Sequence, residues 1–139
     1  MIRIVIDGQP QGKARARTTR YGTYTPQKTV DYENLVKYTY LQENSLKWQN
    51  NEPLEVEIIA RYEIPKATNK TTRQKMLDGL LYPTKKPDAD NIAKIICDAL
   101  NKVAYKDDSQ IVSLRITKEY SEKPCVIVLI DEIRQENEN

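Results

Sequence analysis

The chain has 139 residues, 39% of them hydrophobic, and a formal net charge of +2. That supports one modest core in a single domain spanning 1–139, and no apolar run reaches the about 20 residues that a membrane-spanning helix needs. Histidine is absent and Cys97 and Cys125 form no paired motif, so there is no zinc signature, no disulfide framework and no imidazole base; unpaired thiols point to the cytoplasm.

Ile2, Ile4 and Ile6 alternate with Arg3, Val5 and Asp7, the pattern of a half-buried strand rather than a leader segment. Gly8 to Pro26 has no apolar periodicity and reads as a long basic loop carrying Lys13, Arg15, Arg17 and Arg20 without an acid. From Gln27 to about Lys47, Val30, Leu35, Val36, Tyr40 and Leu41 recur at three- and four-residue steps, which predicts a helix. Asn50-Asn51 and Pro53 break the chain. Leu54, Val56, Ile58, Ala60 and Tyr62 then share one face of a second strand ending at Pro65.

A short helix follows around Thr71–Leu80, and Lys66, Lys70, Arg73 and Lys75 read as its solvated side. Pro87 restrains the approach to the next helix, for which Asp88 or Asp90 is a suitable N-cap. At 100° per residue, Ile92, Ile95, Ile96, Ala99, Leu100 and Val103 fall on one arc of that helix. Asp90, Asn91, Lys94, Asp98 and Asn101 take the other. Asp107-Asp108 form a turn, and Val112, Leu114 and Ile116 alternate with polar residues in a third strand. Cys125 to Ile130 is apolar throughout, as expected of a central strand. The end is acidic from Glu132 to Glu138 and reads as frayed over 134–139. The fold class that follows is α+β, a mixed sheet packed with helices. Nine tyrosines and no phenylalanine make tyrosine the aromatic filler, with Tyr32 and Tyr40 assigned to the core or a subunit interface.

The chemistry concentrates in Lys86-Pro-Asp-Ala-Asp-Asn91, Lys94 and Tyr105-Lys-Asp-Asp-Ser109. Hard divalent cations prefer oxygen ligands and take a few carboxylates with water and phosphate. Spacing alone leaves two readings open. The carboxylates can be cap and turn residues, with Asp90–Lys94 and Lys94–Asp98 as surface pairs of about 0.2–0.5 kcal/mol each. Alternatively the Asp107-Asp108 turn returns to the N-terminus of the helix and the clusters hold a cation that activates water on a phosphodiester. Lys94 would then neutralise the charge that builds on the reacting phosphate.

The run Lys86-Pro-Asp-Ala-Asp-Asn-Ile-Ala-Lys-Ile-Ile-Cys-Asp-Ala-Leu-Asn, followed by Tyr105-Lys-Asp-Asp-Ser-Gln-Ile-Val, resembles the RusA family of Holliday-junction resolvases. The resemblance implies a homodimeric, Mg²⁺-dependent endonuclease, with Mn²⁺ able to substitute, that makes paired symmetric cuts in four-way DNA junctions during recombination and repair. It implies Asp88, Asp90 and Asp108 as metal-binding catalytic carboxylates and Lys94 as the catalytic lysine. Asp107 and Asn91 take supporting roles, and Asp98 matches the pattern beside them. Pro87 departs from relatives that carry a basic residue there.

Lys13, Arg15, Arg17 and Arg20, interleaved with Tyr21 and Tyr24, suit phosphate contact and base stacking, and Lys85 and Lys86 flank the acidic run. The partner expected is therefore branched DNA, with no membrane. A flap- or fork-specific nuclease using the same acids and a non-catalytic junction binder are the rival readings. A small-molecule phosphohydrolase fits the long basic loop less well.

Overall fold

The computed structural model describes residues 1–136. In chain order the elements are β1 (Ile2–Asp7), β2 (Arg17–Thr19), β3 (Gly22–Tyr24), α1 (Gln27–Glu43), β4 (Leu54–Glu63), α2 (Lys70–Leu77), α3 (Ala89–Leu100), β5 (Ile111–Ser121) and β6 (Cys125–Glu132). A 3₁₀ turn, Asp108–Gln110, leads into β5. Four strands make one sheet in the order β1-β6-β4-β5. β6 runs antiparallel to both neighbours, while β4 and β5 are parallel, so the sheet is mixed. A parallel pair needs a long crossover, and the segment carrying α2 and α3 supplies it.

Alternation gives this sheet its buried face. Ile4 lies opposite Val128, which lies opposite Ile58, and Ile2, Ile130 and Val56 form the next row. These side chains join Ile92, Ile95, Ile96, Ala99 and Leu100 of α3 in one buried cluster. The α3 arc read from the sequence is thus the observed core face, and Val103, beyond the helix end, packs against it half-buried. β6 is an interior strand, as its apolar run predicts, and Cys125 and Ile127 on its other face are buried too.

Several expectations need correcting. α1 ends at Glu43, short of Lys47, and it buries Thr29, Tyr32, Val36 and Tyr40 while leaving Leu35 and Leu41 exposed. The two tyrosines, one helical turn either side of Val36, are the larger apolar bodies and set the buried face. Two of the buried tyrosines stand in for phenylalanine by handing the hydroxyl to a backbone carbonyl, Tyr40 to Leu46 and Tyr105 to Cys97 at 2.6 Å, while the buried Tyr32 hydroxyl has no partner among the described residues.

The basic loop is interrupted by the β2–β3 hairpin, which the sequence conceals because both strands are exposed on both faces. β5 is an edge strand and buries less than its alternation suggests. A bulge at its start pairs Leu54 with Ile111 but Glu55 with Ser113, leaving Val112 as the extra residue, 63% exposed. Of the tail expected to fray, 134–136 has no regular structure, and the remainder lies outside the described residues.

Candidate active site

The two parts of the candidate site are built by the two ends of α3. Tyr62, buried near the end of β4, donates from its hydroxyl to the carbonyl of Pro87 at 2.7 Å and so pins the approach to the helix. Asp88 follows as the N-cap residue, but its side chain makes no capping hydrogen bond, and Asp90 lies in the first turn. Both carboxylates are exposed beside the unsatisfied N–H groups and positive dipole of a helix start. Burial first, and then the charge of Asp88, push the Tyr62 hydroxyl up to about 12, so it remains a donor at any ordinary pH.

Lys94 is exposed one turn along, about 6 Å up the axis from Asp90. Asn91 is half-buried and serves the backbone: its carbonyl accepts from the N–H of Lys13 at 3.0 Å. Gly12 explains how the loop comes so close, since a Cβ there would stand 3.0 Å from Pro87 Cβ and 3.2 Å from Asn91 Cβ.

Asp108 opens the 3₁₀ turn at the other end of the helix. Its N–H donates to Asn101 Oδ1 at 3.1 Å. Asp107 caps this turn, accepting from the Ser109 N–H at 3.1 Å, while its own N–H donates to Gln110 Oε1. Those bonds to Ser109, with help from the charge of Lys102, lower its carboxyl. Gln110 is buried and donates in turn to the carbonyl of Glu52, just before β4. Asp107 is therefore the fixture and Asp108 the exposed group that it presents.

From Asp90 to Asn101 the helix rises about 16 Å, so the turn does not return to the N-terminus of α3. The topology explains why. β5 is parallel to β4 and begins opposite Leu54, while α3 starts beside Tyr62 at the far end of β4. A turn that precedes such a strand must lie where the helix ends. Among the described residues, no three His, Cys, Asp or Glu side chains gather closely enough to hold a metal ion. The donor set suits an oxygen-seeking cation in kind, since Asp88 and Asp90 offer two carboxylates at the start of one helix without imidazole or thiolate. Within one chain it does not suit one in arrangement.

Beside Asp88 opens a cleft of about 410 Å³, rimmed by Lys13, Lys28 and Lys86. A second of about 430 Å³, sharing Pro10, Lys86 and Pro87 with the first, is lined by Lys66 and Lys85. Lys28 is an addition to the expected set, and its signal in the sequence is the acid-free basic run, which extends through it as far as Asp31. Lys66 belongs to this groove rather than to the solvated side of α2. Arg15, Arg17 and Arg20 are exposed on the basic arm formed by the loop after β1 and the β2–β3 hairpin, where the Arg20 guanidinium lies 5.1 Å from the Tyr21 ring centroid.

A family model described as endodeoxyribonuclease RusA matches residues 7–131. The chain belongs to the RusA family. That match spans both ends of α3 and the basic arm. The uncharacterized protein YqaN of Bacillus subtilis (strain 168) is 34% identical over 137 residues, 95% of this chain and 96% of its own.

Two residues of this RusA chain are removed from the reactive set by their surroundings. Lys13, expected to grip DNA, is committed internally: its ammonium bonds Glu33 of α1 at 3.1 Å and Asp98 of α3 at 3.3 Å. Burial alone would lower this lysine, but the two carboxylates overcome it and its pKa is raised above 10.5. Lys13→Met is expected to cost about 1–3 kcal/mol in urea unfolding at neutral pH, the loss of charge-assisted bonds at a side chain only 22% exposed. A raised lysine stabilises fully below its unfolded pKa and loses that contribution as pH climbs through the folded value. The gap between variant and wild type should therefore close above about pH 10.5. Cys97 is the second: burial, followed by the charges of Asp108 and Asp98, pushes its thiol up to about 11, which leaves no thiolate nucleophile at neutral pH.

Proposed function

We propose that this protein is a Mg²⁺-dependent, structure-selective endonuclease that resolves four-way DNA junctions by paired symmetric incisions in cytoplasmic DNA recombination and repair. The observation that carries the reading is the pair of uncapped, exposed carboxylates, Asp88 and Asp90, set at a helix start on the edge of a lysine-rimmed cleft. Membership of an endodeoxyribonuclease family supports it.

The electrostatics of that helix start favour a ternary arrangement. Lys86, Lys28 and the free N–H groups of α3 attract a phosphate, while Asp88 and Asp90 repel it. A divalent cation, when bound there, removes the conflict and supplies a water acidified for attack together with charge for the leaving oxygen. Lys94 adds a fixed positive charge one turn away, where it meets the negative charge developing on the phosphate. Arg15, Arg17 and Arg20 hold the sugar-phosphate backbone beyond the cleft, and Lys85 and Lys86 hold it beside the scissile bond.

A homodimer accounts for the separation of the acids. Two symmetric cuts need two sites related by the substrate's two-fold axis. The same axis can bring Asp108 of one copy to the Asp88–Asp90 pair of the other. We place the complete ligand set, Asp88, Asp90 and Asp108, across that interface.

The test is incubation of the purified protein with an end-labelled mobile four-way junction, a flap, a fork and plain duplex, each with Mg²⁺, with Mn²⁺ and with EDTA. Paired nicks in the junction that need metal are the expected result. Cuts confined to the flap or fork would move the substrate assignment. Junction binding without cleavage under any metal would establish a non-catalytic junction binder, the reading favoured by the absence of a converged metal cluster within one described chain.

A further inference from the structure

The crossover between β4 and α3 carries a segment, the α2 lobe, that adds no side chain to the core cluster. α2 has no buried residue. Residues 66–86 hold six cations, Lys66, Lys70, Arg73, Lys75, Lys85 and Lys86, against one acid, Asp78. At the tip of this lobe Leu77, Leu80, Leu81 and Tyr82 are all exposed, Leu80 at 68% and Tyr82 at 58%. Such a concentration of large apolar side chains on a cationic projection is not surface noise, and it contributes nothing to the core.

The tip is also held stiffly. α2 ends in a Schellman motif: Gly79 takes φ +74°, its N–H bonds the carbonyl of Met76 at 3.2 Å, and the N–H of Leu80 bonds that of Lys75 at 2.9 Å. In that motif the residue after the glycine commonly packs back on the helix, yet Leu80 points away from any such contact, as its exposure shows. Pro83 is buried and anchors the other side. Leu80-Leu81-Tyr82 is thus a short apolar edge fixed at both ends, which loses little conformational freedom when something covers it.

Its position names the occupant. Three residues on from Tyr82 comes Lys85, in the wall of the second cleft. Asp88 lies six residues on, no more than about 22 Å of extended chain. A nucleic acid lying in the lysine-lined groove offers both chemistries that the lobe presents, phosphates for the cations and base faces for the apolar edge. A second copy of the chain is disfavoured, because two such lobes carry like charge.

We propose that Leu80, Leu81 and Tyr82 form the wedge that engages unstacked bases at the branch point, Tyr82 by stacking and the leucines by entering the opened step, and so confer selectivity for branched over plain duplex DNA. The proposal rests on the reading of this protein as a DNA junction nuclease and adds to it the residues that recognise the branch. Apolar wedges of this kind open base steps where the resulting distortion permits wider contact, and a branch point is already weakly stacked.

The experiment uses the full chain in EDTA, where no strand is cut, with a four-way junction carrying 2-aminopurine at the branch. The wild-type chain should brighten the probe on binding. In Leu80→Ser/Tyr82→Ser the brightening should vanish and junction affinity fall about tenfold or more, with affinity for plain duplex of equal length unchanged within about twofold, as expected for lost base stacking at intact phosphate contacts. Tyr82→Phe should restore the signal. Brightening that persists in the double variant, or equal losses on junction and duplex, would overturn the wedge. So would Leu80- and Tyr82-dependent binding to phosphatidylserine vesicles with junction selectivity intact, which would reassign the lobe to an anionic membrane surface. Failure of the wild-type chain to bind any branched DNA would overturn the nuclease reading as well, and is told apart by that alone.

Discussion

Asp90→Asn should leave the protein folded and bound to four-way junctions while cutting at most about a thousandth as fast, the several kcal/mol expected when one carboxylate is lost from a metal site. The substitution is nearly isosteric and falls on an exposed side chain in the first turn of α3. Its structural cost is the loss of one favourable charge at a helix start, about 0.3–1 kcal/mol. Asp108→Asn should behave alike, because the turn is held by the Asp108 backbone N–H and by Asp107, not by the Asp108 carboxylate. Binding should survive in both, since the cations proposed to hold DNA lie elsewhere, on the basic loop and along Lys28, Lys66, Lys85 and Lys86. Junction gel shifts in EDTA and cleavage time courses in Mg²⁺ read the two properties separately. Cleavage by either variant near the wild-type rate would remove that residue from the metal site. Loss of binding together with cleavage would show that the acids organise the surface that grips DNA.

What the sequence made legible follows from which constraints are local. β1, β4 and β6 were readable because each buries one face, or both, against a continuous core, and period-two or unbroken apolar patterns record that directly. α3 was readable for the same reason at period 3.6, with Ala93 the one buried residue of the helix outside the arc. The β2–β3 hairpin buries nothing, so no pattern records it. α1 was placed correctly but turned by part of a face, because Leu35 and Leu41 look like core to any hydrophobicity scale while Tyr32 and Tyr40 do the filling. Lys13 resembled its neighbours Arg15 and Arg17 in composition. Only the pairing of α1 with α3 decides that it faces Glu33 and Asp98 and they do not.

The acidic clusters illustrate the deeper limit. Their residue types, their order and their spacing were all plain, and so was the family resemblance that the RusA match bears out. Their distance was not, because it depends on the direction of β5 relative to β4, a property of pairing that no single segment encodes. A parallel β5 forces Asp108 to the end of α3 remote from Asp88. Had β5 paired antiparallel to β4, its entry turn would have stood beside Pro87 and the site would close within one chain.

That distance makes the reconstitution of activity from two dead variants the most discriminating result expected. A heterodimer of Asp90→Asn with Asp108→Asn, purified through two different tags, should cut junctions although each homodimer is inert. If each site takes Asp88 and Asp90 from one copy and Asp108 from the other, one site of the heterodimer collects both substitutions and its twin collects neither. The intact site should then nick one strand per junction, and the second, symmetric nick should be missing. Sites contained within single chains predict the opposite, since every site in the same heterodimer would carry one lesion and cleavage would stay at the background of the homodimers. In that event α3 or its flanking turns must rearrange on DNA to bring the two ends of the helix together, and a cross-link holding the Asp108 turn to Asn101 would abolish cleavage by the wild-type chain. A chain that sediments as a monomer with and without junction would exclude the shared site outright. The geometry within one chain favours the shared site, because the alternative asks a turn tied to Asn101 and, through Gln110, to Glu52 to abandon those bonds, whereas a two-fold axis asks nothing of the fold.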